Sequence, residues 1–327
     1  MKTIGILKGA LGLLAGLALA VPAAAADAWP SRAVRVIVPY PAGGGVDFVS
    51  RLVAQKLSEK TGQSFVVENR SGASGLIGAD AVAKSAPDGY TLLIASPAEV
   101  LVGAIAGQRA PYDARRDLLP VTLVGETPLV IAVNPAVPVQ SVAELVDQAK
   151  AGKLQLSYGT PGNGSSHHFA GESLNLIAGT SILHVPYKGA APAISDLLGN
   201  QIPMGISGMP PVVPHWKSGK LRVLAVTSQK RSPAMPDVPA MSEFPGFENY
   251  RFTNWMGMYL PAGTPPAIVD ELAADVAEIA RQADTRDRLM EQGVEPVGNT
   301  PAEFAGFLDD ERQRYETIAR ERNIHID

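Results

Sequence analysis

Apolar residues along this chain fall into two rhythms that alternate. Short apolar runs bounded by Gly, Pro or Asp read as buried strands: 33–39 (AVRVIVP), 64–68 (SFVVE) and 90–95 in the first third. Between the first two, Val46, Val49, Leu52, Val53 and Leu57 recur at helical spacing and predict a helix over 46–60; a shorter one is predicted over 78–84. The middle repeats the style, with strands at 129–134, 154–158, 182–186, 202–207 and 221–228 and helices at 141–151, 165–178 and 190–198. Ser141, with Glu144 three residues on, has the signature of a capping box. The proline-rich stretch 232–246 reads as loop, and a strand is predicted at 255–260. Two helices close the chain, 265–282 and 301–322, the latter with Phe304, Phe307, Leu308, Tyr315 and Ile318 on one stripe.

Strand and helix alternating in this way predict parallel sheet covered by helices, an α/β class. Two α/β lobes follow, with 129–134 and 255–260 as crossing strands and the first lobe built from both ends of the chain. Periodicity leaves that connectivity open.

The N-terminus departs from the rhythm. Lys2 and Lys8 precede or interrupt apolar runs at 4–7 and 10–21, and Ala23 to Ala26 follow. That is the pattern of a secretory signal peptide, with cleavage expected after Ala25 or Ala26. The alternative, a retained anchor, is disfavoured because a span needs about 20 apolar residues. No later stretch is apolar enough to cross a membrane, so the mature chain is expected to be soluble and exported.

Composition narrows the function. The chain has no cysteine, which excludes disulfides, thiol nucleophiles, thiolate metal sites and a lipidated N-terminal cysteine. The roughly 300 residues beyond the signal suit two ordinary domains. With Lys2 and Lys8 set aside, 26 basic residues face 32 acidic ones, a formal charge of −6. No basic block stands out, so nucleic acid and anionic membrane are poor partners.

Two glycine-rich loops carry the candidate chemistry. Residues 41–47 (PAGGGVD) join a strand to a helix, where unpaired main-chain N–H groups and the helix dipole favour an anion. A tight turn without a ligand fits this loop equally well, and Asp47 has the loop's own amides within reach. Residues 159–166 (GTPGNGSS) have the glycine spacing of a phosphate loop, but Ser165 stands where the lysine is needed. What remains is a cradle of amides and hydroxyls suited to a carboxylate, with Ser165 also a natural helix cap. His167 and His168 are adjacent and point apart on a helix, and His184, His215 and His325 make no ligand spacing with them, so no metal site is expected. One of the pair is expected to pack near the loop and the other to be solvated. There is no G-x-S-x-G elbow, and Ser165 to His168 lack a visible orienting acid, which argues against a hydrolase. Gly72, Gly75 and Gly78 suggest close packing at a helix entry.

Taken together, VIVPYPAGGGVD (36–47), VENRSGASGLIGA (67–79), PDGYTL (87–92), GTPGNGSSHHFAGE (159–172), VPYKG (185–189), DLLGNQI (196–202), WMGMYLPAGT (255–264) and QGVEPVG (292–298) resemble the tripartite tricarboxylate transporter receptor family, also called the Bug family. The resemblance covers nearly the whole chain beyond the signal. It implies a type II periplasmic-binding-protein (Venus-flytrap) fold: an α/β chain with lobe 1 at 27–130 plus 254–327, lobe 2 at 131–253, and two crossing strands between. It implies a monomeric receptor, not an enzyme, that needs no cofactor and passes a small carboxylate to a membrane permease; a ligand-presenting sensor is the alternative. The ligand would be gripped by Ala42, Gly43, Gly44 and Asp47 of the first loop and by Thr160, Gly162, Ser165, Ser166 and His168 of the second. Ser96, Ala190, Ala191, Pro192, Ser207 and Gly208 match further cleft positions. Val46 and Phe48 depart from the family's small polar residues and suggest an apolar wall near the first loop, suited to an aliphatic or aromatic acid.

Overall fold

The computed structural model describes residues 29–325 apart from Gln108 and Lys153, so the expected signal segment lies outside the described residues. In chain order the strands and helices are β1 Val34–Val38, α1 Gly45–Thr61, β2 Phe65–Asn69, α2 Leu76–Ala83, β3 Thr91–Ala95, α3 Gly103–Ile105, α4 Ala114–Asp117 and β4 Leu118–Val133. Then come α5 Val142–Lys150, β5 Ser157–Thr160, α6 Ser166–Ala178, β6 Leu183–Pro186, α7 Ala190–Leu198, β7 Met204–Gly208, α8 Met209–Lys217 and β8 Arg222–Val226. The chain ends with β9 Thr253–Pro261, α9 Pro266–Arg281, α10 Ala283–Glu291, β10 Glu295–Pro296 and α11 Pro301–Arg322.

The strands form a mixed sheet in the order β2-β1-β3-β9-β4-β7-β5-β6, with β8 and β10 also on β4. β1 lies parallel between β2 and β3, and β5 lies parallel between β6 and β7. β4 joins these two parts. From Leu118 to Pro128 it runs antiparallel to β9, and from Leu129 onward its partners are β7 and β8. The fold is the α/β type II binding-protein architecture.

β4 begins eleven residues before the strand read from the sequence. Pro120, Gly125 and Pro128 hid its first part. The register shifts beside Pro120 and before Gly125, which lets the strand carry residues that ordinary ladder positions exclude. No element is predicted over α8, because Pro210, Pro211 and Pro214 interrupt any helical pattern there. The first two sit in its first turn, where no intrahelical N–H is lost. α10 carries only two buried residues and so shows no apolar stripe.

The core follows the layers. The α1 stripe of Val46, Val49, Leu52, Val53 and Leu57 packs with β1 and α9 in one cluster. Another cluster runs through both parts of the sheet, with Trp255, Tyr250, Phe252, Phe304 and Tyr315 among its largest members. α11 reaches α6: the Tyr315 and Phe169 rings lie 4.7 Å apart, and Arg322 Nε meets Glu172 Oε2 at 2.6 Å. The glycines spaced by three prove to be packing sites. A Cβ at Gly78 would stand 2.8 Å from the Arg70 carbonyl, and one at Gly75 2.2 Å from the Glu99 carboxyl.

Candidate functional site

Parallel strands followed by helices aim helix N-termini at one edge of the sheet, where ligands of such folds collect. Four of these termini border two adjoining cavities here. α1 presents Gly44 and Gly45, α6 presents Ser165 and Ser166, α7 presents Gly189 and Ala190, and α8 presents Gly208. The larger cavity is about 880 Å³ and the smaller about 720 Å³. Gly43–Gly44 and Ser165–Ser166, from loops more than 100 residues apart in sequence, line the same larger cavity.

The first loop is held from within. Asp47, 3 % exposed, accepts the Gly43 N–H at 2.9 Å, Arg51 Nε at 3.0 Å and Asn69 Nδ2 at 2.8 Å. Burial pushes its carboxyl upward, but these bonds outweigh it and hold the group below the ordinary aspartate range. The Gly43 amide, expected to face the ligand, is therefore engaged by Asp47. Gly44 caps α1 without a side-chain bond, and the N–H groups of the following turn have no intrahelical partner.

The second loop is held by Ser165. Its hydroxyl donates to the Gly162 carbonyl at 2.8 Å and accepts from the His168 N–H at 3.3 Å. The neighbouring Ser166 lines the cavity, and its hydroxyl has no partner among the described residues. His168 is stacked on His184 with ring centroids 3.9 Å apart, and its Nδ1 accepts from the Gly164 N–H at 3.2 Å. The expected division of the two histidines thus changes in one respect. His168 packs under the loop, while His167 is half-buried at the cavity rather than solvated.

Of the residues expected in the site, Ala42, Gly43, Gly44, Ser96, Gly162, Ser165, Ser166 and Ala190 line the larger cavity, and Asp47, Phe48 and Gly208 the smaller. Thr160, His168, Ala191, Pro192 and Ser207 line neither. Thr160 is fully buried with Oγ1 2.7 Å from His184 Nε2. Ser207 is buried within β7, and Ala191 and Pro192 are exposed on α7 beyond its first residue. Sequence reasoning missed Tyr40, Thr127, His167, Asn254 and Met256. Thr127 and Asn254 are register partners on β4 and β9 and border both cavities. No local signal marks them, because the two strands meet from 127 residues apart.

Electrostatically the larger cavity is neutral but donor-rich. No Asp, Glu, Lys or Arg is among its described lining residues, and Val46, Val102 and Met256 supply apolar wall. Behind it, Tyr40 Oη lies 2.6 Å from Ser96 Oγ, and both the N–H and the hydroxyl of Ser96 donate to Glu99 Oε2 at 3.0 and 3.2 Å. Burial pushes the Glu99 carboxyl up to about 7. The smaller cavity carries the charge, with Arg51 and Arg288 beside Asp47. Among the described residues no cluster of three His, Asp or Glu side chains has the arrangement to hold a metal, and no helix is long and apolar enough to cross a membrane.

Comparison with known proteins places this geometry. The model of the tripartite tricarboxylate transporter family receptor matches residues 49–324. The chain is 38 % identical over 327 residues to protein BugT of Bordetella pertussis, covering all of this chain and 98 % of the relative. Among solved structures it is similar to Rpa4515 of R. palustris with adipate (36 % identity, 91 % of this chain and 99 % of that one, TM-score 0.79). It is also similar to MatC of Rhodopseudomonas palustris with bound malate (29 %, 88 % and 99 %, TM-score 0.72). The chain belongs to the tripartite tricarboxylate transporter receptor family, a family of periplasmic solute-binding receptors rather than enzymes.

Proposed function

We propose that this receptor captures a small carboxylate between its two lobes and delivers it to a membrane permease. The observation that carries this reading is the larger cavity, where helix N-termini from both parts of the sheet meet and no Asp, Glu, Lys or Arg is among the described lining residues. Unpaired N–H groups and helix dipoles there favour an anion. The volume falls within the range of small-molecule sites, about 300–1,000 Å³. Relatives carrying adipate and malate support the ligand class, and the apolar wall favours an acid with an aliphatic or aromatic body.

The lobes are taken as 27–130 plus 254–327 and 131–253, closing about β4 and β9. Closure brings the first-loop amides and the α6 turn onto one ligand, and differential affinity for the closed form drives it. α11, at the end of the first-lobe segment, also packs on α6 of the second through the Tyr315 and Phe169 rings and the Arg322–Glu172 ion pair. Export by the N-terminal signal and a monomeric state complete the reading.

A thermal-shift screen across malate, adipate, citrate, glutamate and benzoate tests it, since a ligand bound only by the folded state raises Tm. At least one acid is expected to raise Tm in a concentration-dependent way. No shift from any acid, with a clear shift from a sugar or a cation, would overturn the ligand class. Delivery is tested by uptake of the radiolabelled hit in cells with and without the gene.

A further inference from the structure

His167 borders both cavities, in company with Thr127 and Asn254. Among the described residues common to the two linings it is the one titratable side chain. Its Nδ1 is sealed from solvent without a partner. Nε2 has no hydrogen-bond partner among the described residues either and, unlike Nδ1, is not sealed from solvent. Burial alone pushes the imidazole down to about 4, so the ring is neutral at physiological pH.

The surrounding charges do not relieve that burial. Tyr40 faces the larger cavity, its own pKa raised by burial, and Glu99 lies behind it, bonded to Ser96 and likewise raised by burial. Asp47, Arg51 and Arg288 line the smaller one, where Asp47 is already paired with Arg51. On the helix itself, Glu172 acts on His168. Behind it, His184 is stacked on His168 and also held neutral by burial. None of these supplies His167 with a counter-charge.

We propose that His167 is a further ligand-contacting residue that meets the bound carboxylate through Nε2 and takes up a proton as the anion enters. This rests on the carboxylate reading above. The chemistry follows from the missing counter-charge. An imidazolium here lacks only a negative partner, and an opposite charge within about 4–6 Å favours the protonated ring. Affinity is then linked to pH through one residue of α6 that makes no bond in the second loop, while Ser165 and His168 keep that loop in shape.

The test is titration calorimetry with the tightest-binding acid of the panel, at pH 6 and pH 8, in buffers of different ionisation enthalpy. Wild type is expected to take up about half a proton at pH 6 and almost none at pH 8, with about twofold tighter binding at pH 6. His167→Gln keeps a neutral donor and should lose the uptake, and should bind at pH 8 better than His167→Ala. Binding without proton uptake in wild type, or uptake that persists in His167→Gln, would overturn the inference and leave the carboxylate reading standing. Failure of every acid to bind would overturn both.

Discussion

The carboxylate of Asp47 accepts the main-chain N–H of Gly43 at 2.9 Å, so the residue that closes the first ligand loop also removes one amide from it. Replacing Asp47 by Ala strands Gly43 N–H, Arg51 and Asn69 together. A loss of about 2–3 kcal/mol is expected in urea unfolding, with weaker ligand binding from a loosened loop. The pH dependence has a definite sign. The folded-state pKa is depressed, so the contribution is present above the unfolded aspartate value of about 3.9 and is lost as pH falls through it. Asp47→Asn should therefore lose less stability than wild type on acidification from pH 5 to pH 3.

Ser165 and Ser166 separate capping from binding. Ser165→Ala removes a helix cap and its bond to Gly162, and should cost about 1 kcal/mol of stability. Ser166→Ala removes a hydroxyl that has no partner among the described residues, from a residue that lines the cavity. Its Tm should stay near wild type while affinity falls roughly tenfold, the size of one hydrogen bond to a charged group. Equal effects of the two substitutions on Tm would contradict this division.

Gly44 is open where it matters. A Cβ there meets nothing nearer than the Pro41 carbonyl at 3.9 Å, and the residue is extended, with φ −82°. Gly44→Val should fold with wild-type cooperativity and lose detectable binding, because the branched side chain occupies the approach to the α1 turn. Normal binding by this variant would remove the first loop from the site.

Glu99 makes a prediction of opposite sign to that of Asp47. Its carboxyl is raised from the usual value of 4.5 to about 7 by burial, so the folded state holds its proton longer than the unfolded state. Stability from this group is full below about pH 4.5 and is lost as pH rises toward 7, by on the order of 3 kcal/mol at most. Glu99→Gln should flatten that slope, gaining stability relative to wild type at pH 8 compared with pH 5 in parallel urea titrations.

Much of the fold was legible in local pattern. The α1 stripe from Val46 to Leu57 and the terminal stripe from Phe304 to Ile318 lie at helical spacing, and their residues are buried apart from Phe307 and Leu308, which pack half-buried against the same cluster. The glycine loops after β1 and β5 were also legible, because a strand that turns at once into a helix needs small residues. Reading failed where proline has two meanings. Pro120 and Pro128 sit inside β4, and Pro210 and Pro211 open α8, positions that only neighbouring strands and the first helical turn make tolerable.

The sequence by itself determined which segments expose unpaired donors, since a helix start leaves its first amides free wherever it lies in space. Only the tertiary structure decided which donors remain available and what they face. Asp47 takes the Gly43 amide and Ser165 spends its hydroxyl on Gly162, while Ser166 and His167 are left at the cavity. Thr127 and Asn254 join them because β4 and β9 pair across a separation that no local signal spans. Periodicity is a property of neighbours along the chain, whereas the competition for each donor is settled by neighbours in space.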